Sequence, residues 1–182
     1  MTFETLASQG NQTIYGSMAA GIGSRVNEIR NQFIKDCFSD FSKTEHRLEY
    51  VANVHGIEFI NDSKATNINS TWFSLECMNK PIIWIAGRIN KEVDFEILKS
   101  LVHKKVKAII WLGKDTQQMP TLFSELNLPI THTESLNEAV EIAYYAGEKG
   151  DVVLFSPASP SFDLFSDYEE RGQEFKRSVN TL

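Results

Sequence analysis

The sequence predicts an α/β domain of the doubly wound, mostly parallel kind, entered through a hairpin strand and preceded by a short helical appendage. Three observations carry that reading. The run at 81–87 is apolar and continuous rather than alternating, and the stretches at 106–113 and 151–156 each hold at least four consecutive apolar residues, the mark of strands covered on both faces. Amphipathic segments separate these runs, and alternation of strand with helix implies parallel strands joined by right-handed crossovers. The chain has 182 residues, with 12 Phe, 3 Trp and 5 Tyr, which is enough to build one good-sized core and too apolar for a disordered segment.

Each element follows in order. Residues 14–29, IYGSMAAGIGSRVNEI, read as a helix with a small apolar face, and 31–39 as a second helix carrying Phe33, Ile34, Cys37 and Phe38 on one side. The polar FSKTEHR stretch is a connection, which sets a boundary near residue 45 and divides the chain into 1–45 and 46–182. LEYVANV (48–54) and IEFIN (57–61) alternate on either side of His55-Gly56, a hairpin signal. A helix is expected at 68–78, carrying Ile68, Trp72, Leu75 and Cys77 or Met78. PIIWIAG (81–87) is a buried strand, and Asp94 caps a helix carrying Phe95, Leu98, Leu101 and Val102. VKAIIWLG (106–113) is the next strand; 115–126 reads as a helix begun or broken at Pro120. LPITHT (128–133) is a short strand, and Ser135 with Glu138 forms a capping box for a helix through Leu136, Ala139, Val140 and Ala143. DVVLFS (151–156) precedes a closing helix at 164–179 with Leu164, Tyr168, Phe175 and Val179 inward. Together these elements make a Rossmann-like sheet.

Composition excludes several functions. A net charge of −6 argues against broad binding to a nucleic-acid backbone. Cys37 and Cys77 are far apart in sequence and form no Cys-x-x-Cys pair, so thiolate metal sites are excluded and a reduced intracellular compartment fits. The N-terminus has no signal-peptide pattern and no apolar stretch is long enough to span a bilayer; a cytoplasmic protein is the expectation. Gly21-Ile-Gly23 lacks the third glycine and the preceding strand of a dinucleotide fingerprint, and no phosphate loop for a triphosphate is present. His46, His55, His103 and His132 have no metal-ligand spacing, and the nucleophile elbow of a serine hydrolase is absent. His46-Arg47, directly after the boundary, reads on spacing alone as a solvated linker.

In a sheet of this kind ligands bind outside the carboxyl ends of the strands. Three loops occupy that position: Asp62-Ser63-Lys64-Ala65-Thr66-Asn67, Gly87-Arg88-Ile89-Asn90-Lys91, and Ser156 through Asp163. They gather two lysines, an arginine, several hydroxyls and a helix N-terminus, a constellation suited to a small molecule bearing carboxylates or phosphates. The plain alternative stays open at this point: solvated lysines, Asp62 and Ser63 as turn or cap residues, and Ser156–Ser161 as a rigid turn.

HRLEYVANVHGIEFINDSKATNINST resembles the segment that opens the C-terminal domain of the Mur ligase family, and SPASPSFDLFSDYEERGQEF is similar to that family's closing motif. The spacing from Gly87 to Lys91 and Asp94-Phe95 also fits, so the resemblance covers about 46–180 and, less fully, 3–45. It implies a fragment of an ATP-dependent amide-forming ligase of peptidoglycan and cell-wall synthesis, of the kind that adds D-glutamate to UDP-N-acetylmuramoyl-L-alanine through an acyl phosphate. Residues 1–45 would be the remnant of the central ATP-binding domain, and 46–182 the amino-acid-binding domain that closes over ATP. By motif position Lys64, Thr66, Lys91, Ser161, Phe162 and Tyr168 match residues around D-glutamate, and Arg47 and Asp62 match residues touching ATP. ATP with Mg2+ is the cofactor of the full enzyme; this chain alone is expected to hold neither and to be inactive, its partners being its own N-terminal and central domains.

The chain departs from the family pattern at 10–16, which lacks the family's histidine–asparagine run, at Arg88-Ile89 where a second glycine and an acidic residue are usual, and at Ser159 in place of a cysteine. Two other readings remain: a folylpolyglutamate synthetase-like ligase module, and a non-catalytic α/β binding domain.

Overall fold

The computed structural model describes residues 44–87, 96–114, 127–162 and 164–182, all within a compact unit spanning Phe41–Leu182. The helices expected at 14–29, 31–39 and 115–126, and the Asp94 cap, lie outside the described residues.

The hairpin comes first. Strands β1 (Glu49–Val54) and β2 (Ile57–Asn61) pair antiparallel around His55 and Gly56. Both turn residues have positive φ, 51° and 92°, as a tight turn matched to strand twist requires. The pairing shifts between Tyr50 and Ala52, a bulge of the sort that protects an edge strand. The alternation expected of β2 fails: Phe59, Ile60 and Asn61 are all buried, because the strand has neighbours on both sides and cover on both faces.

The chain then alternates as expected: α1 (Ile68–Cys77), β3 (Ile82–Ala86), α2 (Glu96–Lys105), β4 (Val106–Leu112), β5 (Ile130–Thr133), α3 (Leu136–Ala146), β6 (Val152–Phe155) and α4 (Tyr168–Val179). The six strands lie in the order β1-β2-β6-β3-β4-β5, and every pairing after the hairpin is parallel. The protein is thus a doubly wound, mostly parallel α/β sheet. Alternate strand residues, among them Phe59, Ile83, Ile85, Ile110 and Phe155, pack against Val140 and Ala143 of α3 and Phe175 of α4. Phe155 and Phe175 stack with ring centroids 4.8 Å apart, and each ring so buried contributes roughly 1.5–3 kcal/mol. The intervening residues Trp84, Ile109, Trp111 and Leu154 are buried as well; strand periodicity turns them to the opposite face, where α1 and α2 pack together.

The helix ends are closed by specific donors. Lys105 Nζ donates to the carbonyls of Leu75, Glu76 and Met78 at 3.2, 2.7 and 3.0 Å, satisfying the last turn of α1. Ser135 Oγ accepts from Glu138 N–H at 3.4 Å. The other half of the expected capping box is rerouted: the Glu138 carboxylate accepts from the Thr133 hydroxyl, and Thr133 Oγ1 accepts the Ser135 N–H at 3.0 Å. The closing helix begins at Tyr168 rather than 164. Leu164 and Phe165 N–H both turn back onto the Ser161 carbonyl, and Asp167 is the cap, accepting from Glu170 N–H at 2.7 Å.

Candidate functional site

Asn61 of β2, Phe155 of β6 and Ile85 of β3 are neighbours in register. The loops that follow these three strands therefore leave the same rim at the same level. Backbone bonds stitch them: Asp62 N–H to Phe155 O at 2.8 Å, Ser156 N–H to Ile85 O at 3.2 Å, and Gly87 N–H to Pro157 O at 2.8 Å. The third loop is described only as far as Gly87, so Arg88, Ile89 and Lys91 lie outside the described residues.

Lys64 is exposed on the first loop, and its Nζ stands 5.6 Å from the Tyr168 ring centroid at the start of α4, within cation–π range. Its backbone N–H donates to the His46 carbonyl at 3.0 Å, and Thr66 N–H donates to the Lys64 carbonyl at 3.0 Å. Ser161 is buried at the far end of the second loop, and Phe162 beside it is 80% exposed. The Tyr168 hydroxyl donates to Glu169 at 3.1 Å; that bond raises the phenol's pKa, keeping it a neutral donor.

Arg47 and Asp62 are brought together: Nη1 donates to Oδ1 at 3.3 Å. The guanidinium is partly open and lies 5.9 Å from the Phe73 ring. Asp62 is different, with no exposed surface. Its Oδ1 also accepts from Leu48 N–H at 3.3 Å, and its Oδ2 accepts from the hydroxyls of Ser74 and Ser156, the latter at 2.8 Å. Ser156 in turn bonds Thr71 Oγ1 at 2.9 Å and its carbonyl takes Trp84 Nε1–H at 2.8 Å. Burial dominates and lifts the Asp62 pKa from 3.8 to about 6, against the opposing pull of Arg47 and the three other donors. A ribose hydroxyl has no open oxygen to reach on Asp62 in this arrangement; the carboxylate instead anchors Arg47 and the base of the loop.

The linker reading of His46 is corrected. The side chain is 3% exposed. Its Nδ1 lies 3.0 Å from Asn61 Nδ2, which also donates to Glu49 and to the Gly172 carbonyl. A Cβ on Gly172 would stand 2.3 Å from His46 Nδ1, so glycine is what lets helix and imidazole approach. His46 and Leu48 both have positive φ, 62° and 46°, a conformation that non-glycine residues rarely hold without support from their surroundings. Arg171 is the second residue that sequence reasoning missed. It is buried in α4 and bonded to both loops. The signal was there: position 171 falls on the buried stripe of α4, between Tyr168 and Phe175, where an apolar residue is the rule.

Among the described residues no group of three or more His, Cys, Asp and Glu is placed to hold a metal ion. No described helix is long and apolar enough to cross a membrane. The rim offers an exposed ammonium, a guanidinium that is 14% exposed, hydroxyls and two aromatic rings, a set that suits an anionic small molecule.

The profile of the "Mur ligase, glutamate ligase domain" matches residues 46–159. The chain belongs to the Mur ligase family. It is 43% identical over its whole length to a protein of Bacteroides fragilis and to one of Christiangramia forsetii, both named UDP-N-acetylmuramoylalanine–D-glutamate ligase. It spans 41% of the length of each of these relatives. A murein peptide ligase from Psychrobacter arcticus shares the fold, with a TM-score of 0.52 and 11% identity over 76% of this chain and 30% of that one.

Proposed function

We propose that residues 46–182 are the C-terminal, D-glutamate-binding domain of an ATP-dependent ligase of peptidoglycan synthesis, and that residues 1–45 belong to its central ATP-binding domain. The names carried by the relatives support D-glutamate as the amino acid. The observation that carries the reading is the Lys64 ammonium set against the Tyr168 ring on the same rim as the Ser161 loop. D-Glutamate brings two carboxylates, so its site needs two donor-rich poles. Lys64 supplies one with Thr66; Lys91, Ser161 and the Phe162 backbone N–H supply the other. Phe162 and Tyr168 wall the apolar methylenes.

Arg47 is the residue here that would contact ATP directly, held in place by Asp62. ATP would supply the phosphoryl group that activates the carboxylate of UDP-N-acetylmuramoyl-L-alanine as an acyl phosphate. The role of this chain is to hold the D-glutamate amine in line with that carbon and to exclude water, and most of the rate gain would come from such positioning. The accompanying Mg2+ would take its ligands outside the described residues. On this reading the chain alone neither hydrolyses ATP nor forms the amide; it works in the cytoplasm with its own N-terminal and central domains, and with neither nucleic acid nor membrane. Amide shifts of the labelled chain, titrated with D- and then L-glutamate at millimolar concentration, test the proposal. Shifts at Lys64, Thr66 and Ser161 with the D-isomer alone support it; an equal response to both isomers, or none, sinks it.

A further inference from the structure

Arg171 interrupts the buried stripe of α4 with a charge, 3% exposed. Its Nη2 donates to the Ser63 carbonyl at 2.8 Å and its Nε to the Ser63 hydroxyl at 3.0 Å. On the other side Nη1 donates to the carbonyls of Ser159 and Pro160 at 3.0 and 3.2 Å. The Ser63 hydroxyl in turn donates a hydrogen bond to the Tyr168 carbonyl at 2.8 Å. One planar group therefore holds the residue before Lys64 and the two residues before Ser161. A guanidinium presents its donors in a rigid fork, so the separation of the two loops is set by the width of that fork. Burying the charge is costly, and an apolar side chain would fill a stripe position with less desolvation. The same turn of helix fixes Lys64 from a second direction: Gly172 seats His46, whose carbonyl accepts the Lys64 N–H.

We propose that Arg171 is a positioning residue that sets the spacing between the Lys64 loop and the Ser161 loop, and with it the fit of the pocket to a dicarboxylic amino acid. The second half of that statement rests on the D-glutamate reading; the first does not. Two variants of the 182-residue chain test it. Arg171→Lys keeps the charge and loses the fork; Ser63→Ala removes only the hydroxyl between Arg171 and Tyr168. Both are read by amide shifts without ligand and by D-glutamate affinity. Expected are unmoved amides in β3, β4 and β6, moved amides at 64–66 and 161, and affinity weakened about tenfold in Arg171→Lys and about threefold in Ser63→Ala. Loop amides that stay in place in a folded variant overturn the spacing role. Should Arg171→Lys fail to fold, Ser63→Ala decides by the same readouts. Should the unmutated chain not bind D-glutamate, the pocket reading falls while the loop amides still decide the spacing role. Full affinity in a variant whose loops have moved overturns the link between spacing and fit.

Discussion

The two rims of the sheet use charge in opposite ways. At the amino ends of the strands, ion pairs sit at the surface: Lys80 with Glu58 at 2.8 Å, and Lys107 with Glu148 at 2.8 Å, Glu148 being 81% exposed, while Lys107 also reaches the buried Asp151 at 2.9 Å. At the carboxyl ends Asp62, His46 and Arg171 are buried, and their partners are loop backbones and the side chains of Arg47, Asn61, Ser63, Ser74 and Ser156. Exposed pairs are screened and contribute about 0–1 kcal/mol each. Buried charges are dear to desolvate and need complete hydrogen bonding to be tolerated. A fold seeking stability alone would keep its charges on the first rim. The second rim accepts the cost, and what it gains is loops fixed in one geometry around Lys64 and Tyr168.

Substitutions can sharpen or break that contrast. Arg171→Met leaves the carbonyls of Ser63, Ser159 and Pro160 without their donor, and denaturant unfolding should show a loss of about 3–5 kcal/mol; a loss below 1 kcal/mol would erase the distinction between the rims. Asp62 makes the contrast depend on pH. Its folded pKa is raised above the unfolded value, so between pH 4 and pH 6 the folded state keeps a proton that the unfolded chain releases, and stability falls as pH rises. A carboxyl lifted from 3.8 to about 6 loses about 3 kcal/mol across that window. Relative to the unmutated chain, Asp62→Asn should therefore gain that amount from pH 4 to pH 7. A gap moving the other way would mean that Arg47 and the serines more than offset burial.

Gly172→Ala forces a Cβ into an imidazole held by Asn61 and Glu49, and about 1–3 kcal/mol of destabilisation is expected from such overpacking. Thermal melts read it directly, with an unchanged midpoint as the contrary result. The smallest effect belongs to the other rim: Lys80→Ala, which removes the open pair with Glu58, should cost under about 1 kcal/mol, a loss that shrinks in 1 M salt. A salt-insensitive loss of several kcal/mol would show that the amino rim is no different.

The strands were legible because both-face burial writes itself as consecutive apolar residues: Ile82–Ala86, Val106–Leu112 (interrupted at Lys107) and Val152–Phe155 lie inside the stretches read from the sequence. The hairpin was legible because His55-Gly56 can adopt the turn. The start of α4 was not: Leu164 fits the helical period, but Leu164 and Phe165 N–H bond the Ser161 carbonyl instead. The loops carrying Lys64 and Ser161 were located by strand direction alone, whereas their bracing was hidden. His46 sits at a boundary where spacing suggests solvent, and only the close approach of Gly172 shows that it is buried. Asp62 has the sequence of a turn residue and the surroundings of a core residue, a difference made by Ser156, 94 positions away.

The central claim is that this rim takes D-glutamate through Lys64. Its most direct test is the D-glutamate dissociation constant of Lys64→Ala against the unmutated chain, followed by amide shifts. Lys64 is exposed, and among the described residues its side chain makes no buried hydrogen bond, so the variant should keep its fold while binding at least about tenfold more weakly. Equal affinity in a folded variant would contradict the account.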